Sequence, residues 1–168
     1  MAGPKGCGDS RSPFLTPSDI SKPPYEIPNG VVKMLSLGMK MESLCASARL
    51  PGLSAPQIGV DWNFIVCWEN YPSNPASFLY LFDCEYEGVG ERMLSVEGCP
   101  SLPGRRFGVM RFPSVRVLSK TLRSDDSGRI SISEVDRVFS GVAAAILQHE
   151  IDHMRGIFID IGEEIYTR

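Results

Sequence analysis

His149 and His153 are the only histidines in the 168-residue chain, and they stand four apart in Gln148-His149-Glu150-Ile151-Asp152-His153. The surrounding segment reads as a helix. Ser140 suits an N-cap, Gly141 to Arg155 carry three consecutive alanines with apolar Val142, Ile146 and Leu147, and Gly156 suits a left-handed residue past the end. At 1.5 Å per residue the helix runs about 22 Å. Positions i and i+4 lie on one face a turn apart, so both imidazoles reach a single metal ion. Glu150 is rotated about 100° from His149, which sets it beside a water on that ion rather than on the ion itself. The apolar stripe of the helix must dock, so the fold has to enclose this element and bring a further ligand to it.

A catalytic zinc-like site takes three protein ligands and a water. The spacing leaves the third ligand open. Asp160 and Glu163 lie just downstream, as in metalloprotease-type sites. Cys99 lies upstream in Glu97-Gly98-Cys99-Pro100-Ser101, between a glycine and a proline that suit an exposed thiolate. The other cysteines, at 7, 45, 67 and 84, form no CxxC pair, and the total of five is odd. Cys45, Cys67 and Cys84 fall in apolar runs and read as reduced thiols of a core. That pattern fits a reducing interior better than a secreted disulfide scaffold.

The remainder is ordinary soluble composition, 43% hydrophobic and 22% charged, with no apolar run long enough to span a membrane. The net charge of −3 argues against nucleic acid as the main ligand. A local cluster of Arg105, Arg106, Arg111 and Arg116 still admits a small anionic one. Residues 1–28 are rich in Pro, Ser and Gly without hydrophobic period, so an irregular or partly disordered arm is expected before a single domain over 29–168. No secretory h-region is present in the arm. Val31, Met34, Leu35, Met41, Leu44 and Cys45 recur at helical intervals, with Asn29 as N-cap and Pro51-Gly52 as the stop. Strands are expected at Asn63–Trp68, Phe78–Phe82, within Arg106–Leu118 around Pro113, and at Arg129–Val135 after a Ser124–Gly128 turn.

Three segments together resemble a known family. Gly52-Leu53-Ser54-Ala55-Pro56-Gln57, Glu97-Gly98-Cys99-Pro100-Ser101 and Gln148 to His153 are similar, in order and rough spacing, to the three motifs of the peptide deformylases. The resemblance spans about residues 30–161. It implies an α+β fold with antiparallel sheets wrapped around a C-terminal metal-binding helix and an outer N-terminal helix. It implies a metallohydrolase whose metal is held by Cys99, His149 and His153 with water in the fourth position, Fe²⁺ natively, with Zn²⁺, Ni²⁺ or Co²⁺ able to replace it. Glu150 is then the general base and Gln57 the oxyanion donor. Glu97 and Arg111 support the cysteine loop from behind. Gly52, Leu53, Gly98, Pro100 and Arg106 become substrate-binding residues, and Ile146 and Phe107 line a methionine pocket. The implied substrate is an N-formylmethionyl peptide, with nascent chains at the ribosome as partners. The implied setting is a mitochondrion or other organelle, or a bacterial cytoplasm.

The resemblance breaks at the site itself. Pro100 stands where leucine is usual and has no N–H to serve as the second oxyanion donor. Pro51 has no N–H in the first motif, where the family's backbone binds an added strand. Leu50 replaces a usual glycine, and the stretch Gly156 to Asp160 is one residue short. These departures keep a second expectation in view, a divergent metal-binding homologue with weak or no deformylase activity, acting as a binding module or on another small amide.

Overall fold

The fold is seen in a computed structural model, which describes residues 12–72 and 74–165. The first helix, α1 (Val31–Ala48), buries Met34, Gly38, Met41 and Cys45, one stripe at spacings of three and four. Gly38 is required there because a Cβ would stand 2.5 Å from the Tyr80 ring. The helix does not start on an Asn29 side-chain cap. Gly30 takes the N-cap position at φ 87°, a backbone that glycine alone adopts freely, and no side chain caps the first turn. At the other end Arg49 turns left-handed at φ 54° and the chain breaks at Pro51.

The strands follow as β1 (Gly52–Ser54), β2 (Phe64–Asn70), β3 (Asn74–Val89), β4 (Met93–Cys99), β5 (Leu102–Arg111), β6 (Ser114–Ser124), β7 (Ile130–Ser140) and the short β8 (Glu163–Glu164). All pairings among them are antiparallel. Five strands form one sheet in the order β1-β2-β3-β6-β7, and three form a second in the order β4-β5-β8. Phe112 and Pro113 separate β5 from β6, as a proline that cannot donate to a ladder must. The expected turn at Ser124–Gly128 is built by Asp125, whose carboxylate accepts the N–H of Ser127 and of Arg129 at 2.9 Å each.

The second helix, α2 (Val142–Met154), packs on the large sheet, and every residue from Ile146 to Met154 is buried. Its N-cap is Gly141 at φ 62°, not Ser140. Ser140 closes β7 instead, its hydroxyl 2.8 Å from that of Ser114. Gly156 takes the expected left-handed turn at φ 71°. Ile65, Leu81, Val115, Val117, Leu147 and Ile151 make the core between the large sheet and α2. Met34, Met41, Leu53, Phe64, Val66 and Phe82 make the core between that sheet and α1. The large sheet is therefore the middle of three layers. The architecture is the expected α+β one, two helices with antiparallel sheets.

Residues 12–28 hold no helix or ladder strand, yet they are tied to the body. Leu15 N–H donates to the Gln57 carbonyl at 2.8 Å, Glu26 N–H to that of Asp61 at 3.0 Å, and Ile20 is buried. The first eleven residues of the expected arm, Cys7 included, lie outside the described residues. Cys45, Cys67, Cys84 and Cys99 are free and buried. Burial pushes the Cys45 thiol up to about 12 and raises the Cys67 and Cys84 thiols well above the ordinary thiol range, so all three stay protonated. Among the described residues no helix is long and apolar enough to cross a membrane.

Leu53 tests this layering. Its side chain is fully buried in the α1 layer, so Leu53→Ala opens a core cavity and costs about 3 kcal/mol by urea unfolding.

Candidate metal centre and cleft

The His149 and His153 rings meet edge to face, with centroids 4.8 Å apart. The strand β4 delivers Cys99 opposite them, its Sγ 3.6 Å from His153 Nε2. The ligand atoms of Cys99, His149 and His153 all lie within 4.8 Å of one another, and all three residues are buried. Asp160 and Glu163 are exposed and lie outside this group. Of the candidates that spacing left open, the structure brings Cys99, and not the downstream acids, beside the histidines.

The donors suit a metal. Each imidazole has its Nδ1 occupied by an acceptor, Glu97 Oε2 at 2.9 Å for His149 and the Ile157 carbonyl at 3.3 Å for His153. That leaves each Nε2 for an ion, in rings whose orientation is already set. One thiolate and two imidazoles form a borderline-soft set. Burial opposes charge on His149, but its contacts with Cys99 and Glu97 outweigh this and push it up to about 10. Burial, reinforced by neighbouring His149, pushes His153 well below the usual histidine range.

A charged network holds these ligands from behind. Arg111 of β5 donates from Nε and Nη2 to the two carboxylate oxygens of Glu97 of β4, at 2.9 Å each. It also pairs through Nη1 with Asp152 of α2. Asp152 accepts a further bond from the Tyr86 hydroxyl at 2.9 Å, and Glu97 one from Ser95 at 2.9 Å. Burial alone would raise Glu97, but the His149 and Arg111 bonds prevail and hold it down at about 2. Gln148 fixes the helix laterally. Its amide donates to the Phe112 carbonyl and accepts the Phe112 N–H, both at 2.9 Å.

Glu150 lies deep beside the ligands. It is buried, burial pushes its carboxyl up to about 7, and its Oε2 has no hydrogen-bond partner. A Cβ at Gly52 would stand 2.8 Å from Glu150 Oε1, so glycine is what lets β1 pass over this carboxyl. Gln57 sits in the 3-10 turn after β1 and is fully buried. Its Oε1 accepts the N–H and hydroxyl of Ser54 at 2.9 Å each, so its Nε2 is aimed the other way. There it donates to Cys99 Sγ at 3.3 Å and to the Ser101 hydroxyl at 3.1 Å.

A cleft of about 730 Å³ opens onto Cys99, His149 and Glu150. One wall is Arg49 to Gly52, leading into β1, and the other is Ser95 to Pro100 along β4. Both β1 and β4 are edge strands of their sheets, so two unpaired backbone edges border the cleft. The Pro51 carbonyl accepts Trp68 N–H of β2 at 2.8 Å. A planar trans peptide then directs Gly52 N–H the opposite way, toward the cleft. The cleft-side donor of this wall belongs to Gly52, and Pro51 leaves it intact. Gly52, Gly98, Pro100 and Arg106 all line the cleft. Leu53 does not, its side chain lying in the core under α1. Of the two residues expected in a methionine pocket, Ile146 lines the cleft, while Phe107 is buried with Leu102, Val109 and Ile159.

Sequence reasoning missed Ser54, Ser101, Asp152 and Gln148 as parts of the site. Asp152 and Gln148 lay inside the quoted third motif, and Ser54 and Ser101 inside the other two. Their roles depend on partners in distant strands, which spacing does not reveal.

Comparison with known proteins agrees with this geometry. The family model for polypeptide deformylase matches residues 19–162. Peptide deformylase 2 of Ralstonia nicotianae is 34% identical over 128 residues, covering 73% of this chain and 68% of that protein. The peptide deformylase of Prochlorococcus marinus (strain MIT 9515) is 34% identical over 116 residues, 68% of this chain and 53% of its own length. The chain thus spans between about half and three quarters of the length of these curated relatives. Among solved structures, a probable peptide deformylase from Synechococcus phage S-SSM7 superposes with a TM-score of 0.70 at 26% identity, over 89% of this chain and 97% of that one. A peptide deformylase from Synechococcus elongatus, solved in complex with actinonin, gives 0.68 at 25% identity, over 95% and 82%. The chain belongs to the polypeptide deformylase family.

Proposed function

We propose that this chain removes the N-formyl group from the terminal formylmethionine of nascent polypeptides. The observation that carries the reading is a buried Cys99-His149-His153 donor set next to a buried, unpartnered Glu150 oxygen on the floor of a cleft with two free strand edges. Those three residues would hold a divalent ion, which when bound acidifies a water and polarises a carbonyl oxygen. The thiolate and imidazoles fit such soft-to-borderline ions rather than Mg²⁺ or Ca²⁺, and the family resemblance supports Fe²⁺ as the native one, with Zn²⁺, Ni²⁺ or Co²⁺ as replacements.

The remaining work falls to the chain. An extended peptide lies between β1 and β4 as an added strand, with Gly52 N–H as one donor. Glu150 takes a proton from the attacking water and returns it to the departing amine as the C–N bond breaks. The products are formate and a free α-amino group. Gln57 turns one amide hydrogen from the Ser101 hydroxyl to the oxygen that gains charge. Pro100 offers no second donor, so Gln57 carries more of this task here than a site with two donors requires. The reading places the protein where formylated chains are made, a mitochondrion or other organelle, or a bacterial cytoplasm.

Anaerobically Fe²⁺-loaded protein is expected to deformylate formyl-Met-Ala-Ser, with turnover falling about 10²–10⁴-fold in Glu150→Gln. Absence of turnover with metal verified as bound would favour the divergent homologue, for which Pro100 is the specific argument. The relative from S. elongatus binds actinonin, and the cleft of this chain is expected to take it too, read as a rise in Tm of the loaded protein. Glu97→Gln removes the anchor of the His149 ring. It is expected to weaken metal binding about 10–100-fold in a chelator competition.

A further inference from the structure

The chain as a whole carries a net charge of −3, but its cleft is positive at the mouth. Of the carboxylates that line it, Glu150 is buried at its floor and Glu97 is taken up by Arg111 and His149. The outer walls carry Arg49, Arg105 and Arg106, all exposed. Arg105 is held by Glu164, with Nε and Nη2 each 2.8 Å from a carboxylate oxygen. Among the described residues, Arg49 and Arg106 form no ion pair. Both residues line the cleft and are exposed to solvent.

Position along the walls gives these two cations a meaning. Arg49 precedes Gly52 by three residues on one wall, at most about 10 Å of extended chain. Arg106 stands opposite Gly98 in the β4–β5 ladder, on the other wall. A peptide whose formyl end sits at Gly52 and Glu150 runs outward past both. At about 3.3 Å per residue, its third and fourth residues would reach as far as these two positions.

Resting on the deformylase reading, we propose that Arg49 and Arg106 are specificity-determining residues that select peptides with carboxylate side chains at the third and fourth positions. A guanidinium fork binds a carboxylate through paired donors, and a half-enclosed cleft screens that pair less than open water does. Lysine at the same positions meets two like charges. The selection acts on binding, so it appears in KM and weakens with salt.

The test uses amidated formyl-Met-Ala-Xaa-Xaa peptides, with Xaa as Asp, Ser or Lys, on the Fe²⁺-loaded protein at low salt. The Asp peptide is expected to exceed the Ser peptide in kcat/KM about tenfold, mainly through KM. The Lys peptide falls below both. Salt at about 0.5 M, and the double variant Arg49→Ser with Arg106→Ser, are each expected to bring the Asp-to-Ser ratio to within about twofold. A Ser peptide with a free carboxyl end separates a terminal carboxylate from side-chain carboxylates. A benefit confined to that peptide would overturn the proposal. So would a ratio near one in the parent chain, or one that persists in the double variant. The already deformylated peptides Met-Ala-Asp-Asp and Met-Ala-Lys-Lys, as amides, read the same selection by calorimetric binding without any turnover. Equal affinities there would overturn the proposal, while tighter binding of the Asp peptide without turnover would sustain it and sink the deformylase reading instead.

Discussion

Arg111 joins parts of the molecule that are otherwise separate. From the small sheet it grips Glu97 with two bonds and reaches Asp152 on α2, which in turn accepts Tyr86 from the large sheet. Burying these charges is costly unless each is paired and hydrogen-bonded, and each is. The consequence is geometric. Cys99 ends the same strand that carries Glu97, and His149 lies one turn before His153 on the helix that carries Asp152. Placing Arg111 between them fixes the distance from thiol to imidazoles. The charge count also has a direction. Two carboxylates, Glu97 and Asp152, meet one guanidinium there, so the network behind the ligands is not over-supplied with positive charge.

Glu150 and Gln57 are set by different means. Glu150 owes its raised pKa to burial and its room to the missing side chain at Gly52. Gln57 is aimed by Ser54, which takes both acceptor sites of the amide oxygen and leaves the nitrogen turned to Cys99 and Ser101. The departures in the first and second motifs therefore have unequal weight. Pro51 leaves the Gly52 donor of the cleft wall in place, whereas the N–H missing at Pro100 has no counterpart among the backbone groups of that wall described above.

The parts of the fold legible in the sequence were those whose burial follows a single period. The i, i+4 histidines and alanine run gave α2, and the methionine stripe gave α1. The two glycine caps were not legible, because Asn29 and Ser140 are better cap residues by side chain and only the backbone angles at Gly30 and Gly141 decide. Periodicity did not reveal the strand β4, for a reason tied to function. Its alternation is inverted, with Leu94 and Val96 exposed while Ser95, Glu97 and Cys99 turn inward to build the site. A strand that presents polar chemistry to the interior looks unlike a strand. Leu53 fell on the wrong side of the account because a motif gives adjacency along the chain, whereas β1 turns Leu53 toward α1 and its backbone edge to the cleft.

The separation of the ligands along the chain has a consequence during synthesis. Cys99 and His153 are 54 positions apart. The thiol and its glutamate therefore leave the ribosome well before the helix that completes the set, and the strand pair that carries them can form while α2 is still inside the exit tunnel. Throughout that interval the most oxidisable ligand has neither its imidazole partners nor an ion to protect it. The last α-helix to emerge is the one that closes over it, so the complete donor set exists only once that helix has docked.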